Sequence, residues 1–316
     1  MSPHDAFIAP ARARPALWRL ALGVVLIVLL WALGTIGTLL AGWGSGAILP
    51  ERRFDVALWL EDAAAGSRPD TLALVLLTFA ALALATWLAA RVLHGRGLRS
   101  LVGRGEGGAA RFGIGFLAIA LPAALGLLLP FGAGIEAQAN LPPNVWLLWL
   151  APGLLLVALQ TGAEELAFRG YLQQQMAARF RSPLAWMVLP SLLFGLVHWD
   201  GQTFGPNAPL IVAAATLFGL VAADLTARTG SLHAAWGVHF GNNAFAILLT
   251  TTPGPLSGLA LGLIDLDLAD PGVMAPLVAL DMGTLVVSWG LARWALARLR
   301  PMAGPPISTP PPEAPR

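Results

Sequence analysis

Cysteine and lysine are absent from the 316 residues, and charged side chains make up only 11% of them. Without cysteine there is no disulfide, no thiolate metal site and no cysteine nucleophile, and the redox compartment is unreadable. Soluble domains carry roughly 25% charged residues, so this chain lacks the polar surface to remain in water. An internal repeat of the kind transporters carry is also missing.

What is present is apolar: 57% of residues are hydrophobic and the mean hydropathy is +0.71. Crossing about 30 Å of hydrocarbon takes roughly 20 apolar residues. Runs at 19–42, 71–93, 112–132, 144–168, 184–199, 209–229, 231–251 and 275–292 are the candidates, the fifth being short and complicated by Pro183 and Pro190. They predict an all-α polytopic transmembrane helical bundle of about eight spans. The first run follows Arg12, Arg14 and Arg19 as a signal peptide would, but it is longer than such a segment and reads as an uncleaved span.

The basic residues, all arginine, orient the bundle. With the N-terminus in the cytoplasm, sixteen of the nineteen fall on inside segments: Arg12, Arg14, Arg19, Arg91, Arg96, Arg99, Arg104, Arg111, Arg169, Arg179, Arg181, Arg228, Arg293, Arg298, Arg300 and Arg316. Only Arg52, Arg53 and Arg68 fall outside. The positive-inside rule expects this bias, with both termini cytoplasmic. It also explains a pI near 10.3 without nucleic acid. Arginine-only usage with abundant Ala, Gly, Leu and Pro suggests a GC-rich bacterial genome, hence a multi-pass protein of the bacterial plasma membrane.

The chain divides into N-terminal spans (1–143) with an outer loop at 43–70, a central block (144–251), an outer loop with the last span (252–300) and a Pro-rich tail (301–316) expected to be disordered. A short interfacial helix is expected around Phe54–Leu60.

Ionisable groups inside spans are costly, roughly 2–3 kcal/mol or more each, and mark function. The fourth run contains Glu164, Glu165 and Arg169. Glu165 and Arg169 are spaced i,i+4 and can pair on one face. Glu164 lies about 100° around the helix with no local counter-ion, a setting that raises a carboxyl pKa and suits proton transfer. A structural ion pair explains Glu165 and Arg169 as well as a catalytic role does; it does not explain the second acid. The fifth run ends at His198, which alone would read as interfacial. The seventh carries His239 and Asn243, again i,i+4, with His233 nearer the membrane edge. At helical rise, Glu164 and His198 lie roughly 20–25 Å from the cytoplasmic edge, and His239 and Asn243 roughly 13–20 Å. Three helices thus put polar groups into one layer. Asp281, in the last run, reads as a stray acid near the outer interface.

The motifs Glu164-Glu165-x-x-x-Arg169, Phe194-x-x-x-His198 and His239-x-x-x-Asn243, with Phe168-Arg169-Gly170-Tyr171-Leu172 around the first, resemble the signatures of the CPBP family. That family includes type II CAAX prenyl proteases and bacteriocin-processing and Abi-type proteins. The resemblance spans about 144–251 and implies an intramembrane endopeptidase acting on a membrane-anchored or lipid-modified peptide or protein within the lipid bilayer. By carry-over Glu164 is the base that activates water and His198 assists. His239 and Asn243 stabilise the oxyanion, while Glu165 and Arg169 hold the geometry. Two versions stay open. Zn2+ held by Glu164, His198 and His239 would leave an open coordination position; yet the His-Glu-x-x-His motif is absent, and a metal-free Glu/His mechanism fits as well. The rhomboid Gly-x-Ser-Gly is missing, and Gly262-Leu263-Ile264-Asp265 only approaches the presenilin Gly-x-Gly-Asp. An ion-coupled transporter and a catalytically silent membrane scaffold are the alternatives from other classes.

Overall fold

The computed structural model describes residues 1–128 and 137–299. The tail at 301–316 and the end of the 112–132 run lie outside the described residues. Where backbone meets lipid, every N–H and C=O must be satisfied within its own segment, and the apolar runs accordingly form helices.

The chain opens with α1 (Pro3–Ile8), capped by the Ser2 hydroxyl, which accepts from the Asp5 N–H at 3.0 Å. The long α2 (Leu17–Ser45) stops at Gly46, whose φ of +65° ends the helix in a left-handed cap. In the 43–70 loop, α3 runs Val56–Ala65, later than the expected Phe54–Leu60. The reason is local: the Asp55 side chain accepts from the Leu58 N–H at 3.1 Å, so Asp55 is the N-cap and Phe54 stays outside, fully exposed. Then α4 (Pro69–Leu77) and α5 (Phe79–His94) run as one span, followed by α6 (Leu98–Val102) and α7 (Gly108–Leu128).

The central block begins with α8 (Pro143–Glu165), which passes into a π-helical stretch, Leu166–Gln173, and then α9 (Gln174–Arg179). A second π turn, Leu184–Val188, leads into α10 (Leu189–Leu196). After α11 (Gly201–Phe204) come α12 (Ala208–Thr229) and α13 (His233–Ala244), the latter ending in a third π turn, Phe245–Leu249. The last helix is α14 (Pro271–Arg298).

Among the described residues, six helices are long and apolar enough to cross a membrane: Leu17–Ser45, Pro69–His94, Gly108–Gly126, Pro143–Arg179, Gly201–Thr229 and Pro271–Arg298. The 184–199 and 231–251 runs are also helical but shorter, at Leu184–Leu196 and His233–Leu249. Large side chains such as Val25, Leu29, Leu148 and Leu155 point outward, as suits a bundle whose solvent is lipid. The fold is a helical membrane bundle.

A small sheet at one end was not legible in the sequence. Strand β1 (Ala137–Ala139) pairs antiparallel with β3 (Gly262–Ile264), and β2 (Thr250–Thr251) pairs parallel with β3. Asn140 pins the same loop, donating to the carbonyls of Ser257 and Ala260 at 2.9 Å each. At the other end, buried Arg96 donates to the Ser100 carbonyl at 3.2 Å and to the Gln174 side chain, tying the α5–α6 link to α9. Burial lowers its pKa to about 10, which still leaves it charged at neutral pH.

Helices α7 and α13 cross closely, and the crossing depends on small residues, as helix association in lipid does. A Cβ on Gly237 would strike the Phe112 carbonyl and approach the Phe116 nitrogen to 2.9 Å; one on Gly115 would strike the Ala234 carbonyl. Gly237→Leu should therefore force α7 and α13 apart, with a cost of about 1–3 kcal/mol or more. The check is thermal unfolding in detergent, where an unchanged midpoint would show that the helices do not meet there.

Candidate functional site

The site is built where α8 gives way to the π-helical stretch. Widening the turn here displaces the side chains that follow from their α-helical positions, and such bulges recur at functional sites. Glu165 ends the regular helix and is fully buried, as is Arg169 in the π-helical stretch. Their ion pair forms as the i,i+4 spacing predicts, with Arg169 Nη1 at 3.1 Å from Glu165 Oε1. The guanidinium has further support: it lies 4.6 Å above the centre of the Phe194 ring, and Nη2 donates to the Gly219 carbonyl of α12 at 3.5 Å.

His239 of α13 completes the pair. Its Nδ1 is 2.9 Å from Glu165 Oε1, and its ring is wedged between Phe218, 4.7 Å away, and Phe194, 5.9 Å away. The imidazole turns Nδ1 to the carboxyl group that Arg169 also meets, and Nε2 the other way. Nε2 faces Glu164 Oε2 at 3.4 Å. One arginine and one carboxylate thus fix the orientation of the histidine, which in turn faces the second carboxylate.

Glu164 has a different environment from its neighbour. Its Oε1 accepts from Gln160 Nε2 at 2.8 Å; Gln160 Oε1 accepts from Asn243 Nδ2 at 2.9 Å, and Asn243 Oδ1 from Asn242 Nδ2 at 3.1 Å. In place of a local counter-ion Glu164 has one hydrogen-bonding partner, Gln160, and the nearby Nε2 of His239, while its Oε2 has no hydrogen-bond partner among the described residues. Its side chain also lines a cavity of about 500 Å³. One wall of this cavity is Phe168 and Leu172 of the π-helical stretch with Phe194 of α10; the other is Ile27 and Trp31 of α2 with Phe79 of α5.

His198 stands on the same cavity wall. Its ring stacks on Phe194 at 4.7 Å and its Nδ1 meets the Phe194 carbonyl at 2.7 Å, one turn back. It is exposed, and no hydrogen bond joins it to Glu164 or His239 among the described residues. Five of the six residues singled out from sequence therefore form one connected network, and the sixth faces the cavity beside it. Gln160, which links Asn243 to Glu164, was missed. The signal was available: it lies four residues before Glu164, the spacing that found the Glu165–Arg169 pair.

The proposed zinc ligands do not converge. His239 is engaged on both nitrogens, by Glu165 and by Glu164, and His198 stands apart from them. Among the described residues no three His, Asp or Glu side chains are grouped so as to hold a metal ion. The donor set as arranged does not fit zinc, so no step is routed through a metal.

Residues 143–245 match the family model for Type II CAAX prenyl endopeptidase Rce1-like proteins. The match contains all six candidate residues, and it bears out the resemblance read from the motifs. The chain is also similar to the protein named "Uncharacterized protein YyaK" of Bacillus subtilis (strain 168), 28% identical over 259 residues, covering 80% of this chain and 85% of that one. No solved structure matches the chain. The central segment is CAAX-protease-like, and the similarity to YyaK extends well beyond it.

The network makes a stability prediction that does not depend on activity. Arg169→Ala strands Glu165 as a buried charge, and breaking such a pair costs about 3–5 kcal/mol. Replacing both partners with apolar residues (Glu165→Leu with Arg169→Met) should recover much of that loss. Chemical or thermal unfolding of the three proteins in one detergent reads the difference; a single variant as stable as the wild type contradicts the pairing.

Proposed function

We propose that the protein is an intramembrane endopeptidase that hydrolyses a peptide bond of a membrane-associated substrate with water activated by Glu164. The observation that carries this reading is the position of Glu164: one carboxylate borders a largely apolar cavity while it also lies 3.4 Å from a fixed histidine.

In the proposed reaction a water molecule enters the cavity beside Glu164. The carboxylate takes a proton as the water oxygen attacks the scissile carbonyl carbon, and the carbonyl oxygen becomes an oxyanion. That developing charge needs donors aimed at it from a site shielded from bulk water. His239 supplies Nε2–H when protonated, and the Glu165–Arg169 pair stabilises the imidazolium through Nδ1. The Asn243 amide stands on the same face of α13, one turn further. His198, on the cavity wall, assists from the substrate side. Glu164 then passes its proton to the leaving amine, the C–N bond breaks, and the base is regenerated.

The same reading puts the protein in a bacterial plasma membrane, with eight crossings, the two short helical segments included, and both termini on the arginine-rich side. Arg169 drops out of the inside tally, being buried in the bundle, and the bias survives its removal.

Glu164→Gln should lower cleavage of a lipid-modified or membrane-anchored peptide by on the order of 10²–10⁴-fold, the range general-base catalysis supplies, while the unfolding midpoint stays put. Full activity in Glu164→Gln would remove Glu164 from the role of base, and a wild type that cleaves no such peptide would favour the silent scaffold. Gln160→Leu cuts the link from Asn243 to Glu164 without touching the cavity wall. Its kcat should fall by on the order of tenfold to a hundredfold through misplacement of the base, with KM little changed; equal kcat for both proteins would make Gln160 a packing residue only.

A further inference from the structure

At the arginine-rich edge of the bundle, away from the candidate active site, a second cavity of about 880 Å³ opens between helix ends. Its walls come from the first turn of α7, the last turns of α12 and α14, and the docked N-terminal segment. Because all three helices start or stop there, the cavity sits at the depth of the lipid headgroups.

Four arginines face it, Arg104, Arg111, Arg228 and Arg293, against two acids, Glu106 and Asp224. Asp224 is already committed: Arg228 Nε reaches both its oxygens at 2.9 Å, Trp289 Nε1 donates to it at 2.9 Å, and Arg293 stands 3.9 Å away. Arg104 and Arg111 have no carboxylate within ion-pair distance among the described residues; the one polar side chain that Arg111 meets is the Ser231 hydroxyl, at 3.3 Å. Two further features suit an anion: a helix end that adds to the positive field, and an imidazole that burial keeps neutral but that leaves a ring nitrogen unpaired. The N-terminus of α7, a helix of 21 residues, opens on the cavity with the positive end of its dipole. His4, stacked on Trp186 in the wall, has its Nδ1 shielded from solvent with no hydrogen-bond partner.

The rest of the lining is apolar, with Trp186, Leu296 and Leu299 beside the charges. A phosphate with a hydrocarbon chain attached satisfies both halves; a free phosphate satisfies one. We propose that this cavity binds the phosphate-bearing headgroup of an anionic phospholipid, held chiefly by Arg104, Arg111 and the first turn of α7. Guanidinium groups pair with phosphate oxygens in a forked geometry, and basic pockets between spans at the inner edge are suited to such lipids. This site is independent of the endopeptidase reading and stands whether or not the protein cleaves peptides.

The experiment is native mass spectrometry of the full chain in a neutral detergent, titrated separately with phosphatidylglycerol, with phosphatidylcholine of the same acyl chains and with inorganic phosphate. The wild type should retain phosphatidylglycerol at concentrations roughly tenfold or more below those needed for phosphatidylcholine, since each arginine near the phosphate adds about 1 kcal/mol. Arg104→Ala with Arg111→Ala should abolish that preference. Arg52→Ala with Arg53→Ala, in the loop at the other end of the bundle, should keep it. Equal retention of the two lipids by the wild type would overturn the proposal, and so would a preference that survives loss of Arg104 and Arg111. Displacement of phosphatidylglycerol by millimolar inorganic phosphate would make this a soluble-anion site and overturn the lipid assignment. The wild-type titrations decide the matter even if the double variant does not fold.

Discussion

A buried ion pair sets the terms for the whole central bundle. Removing a carboxylate and a guanidinium from water costs several kcal/mol for each ion, and their mutual attraction repays this only when the remaining donors and acceptors are also satisfied. Glu165 and Arg169 meet that condition in part, by drawing on three other helices, while Glu165 Oε2 keeps no hydrogen-bond partner among the described residues. His239 of α13 approaches Glu165, the Gly219 carbonyl of α12 receives Arg169, and Phe194 of α10 lays its ring against the guanidinium. Those helices must come close, and small residues let them: a Cβ on Gly219 would come within 2.7 Å of Ser191. The π-helical stretch belongs to the same solution, because it alters the turn that carries Arg169.

Once that pair is in place, the next carboxylate acquires a different character. Glu164 precedes Glu165 by one residue but points about 100° away, so it shares neither the arginine nor the complete burial. Its fixed partners are a neutral amide and the outer nitrogen of a histidine whose other nitrogen is already engaged. Adjacent acids in unlike surroundings are how one fold obtains an anchoring charge and a proton acceptor from the same residue type. On the proposed reading the two-acid sequence, which an ion pair alone leaves unexplained, has a use for each member.

Much of this was legible because lipid simplifies the code. A long apolar run in a chain this poor in charge has one stable conformation, so the runs became α2, the α4–α5 span, α8, α12 and α14. The i,i+4 rule gave the Glu165–Arg169 pair directly. It would also have given Gln160 had it been applied backwards from Glu164, but its bond to Asn243 depends on how α8 faces α13, which one-dimensional spacing does not record. The π turns leave no mark in composition. Strand β1 pairs with β3 more than a hundred positions away, and with two or three residues each the three strands show no alternation to read. The depth estimate drew His198 towards the same layer but could not foresee that its ring would stack on Phe194 with no hydrogen bond to Glu164 or His239.

The family match and the cavity divide the chain in different ways. All six candidate residues, and Gln160 with them, fall inside the matched segment 143–245. The far wall of the cavity does not: Val24, Ile27, Val28 and Trp31 come from α2, and Phe79 and Leu82 from α5. On the proposed reading, the matched segment supplies the water-activating chemistry, and spans outside it shape the slot through which a substrate must approach. Slot width at the base depends on how α2 leans on α5 and on the π-helical stretch, and there Gly23 lies directly against the Tyr171 hydroxyl, which His94 holds at 2.9 Å. On the same reading, selection among membrane-associated substrates would lie with the N-terminal helices, whose part of the cavity wall is apolar.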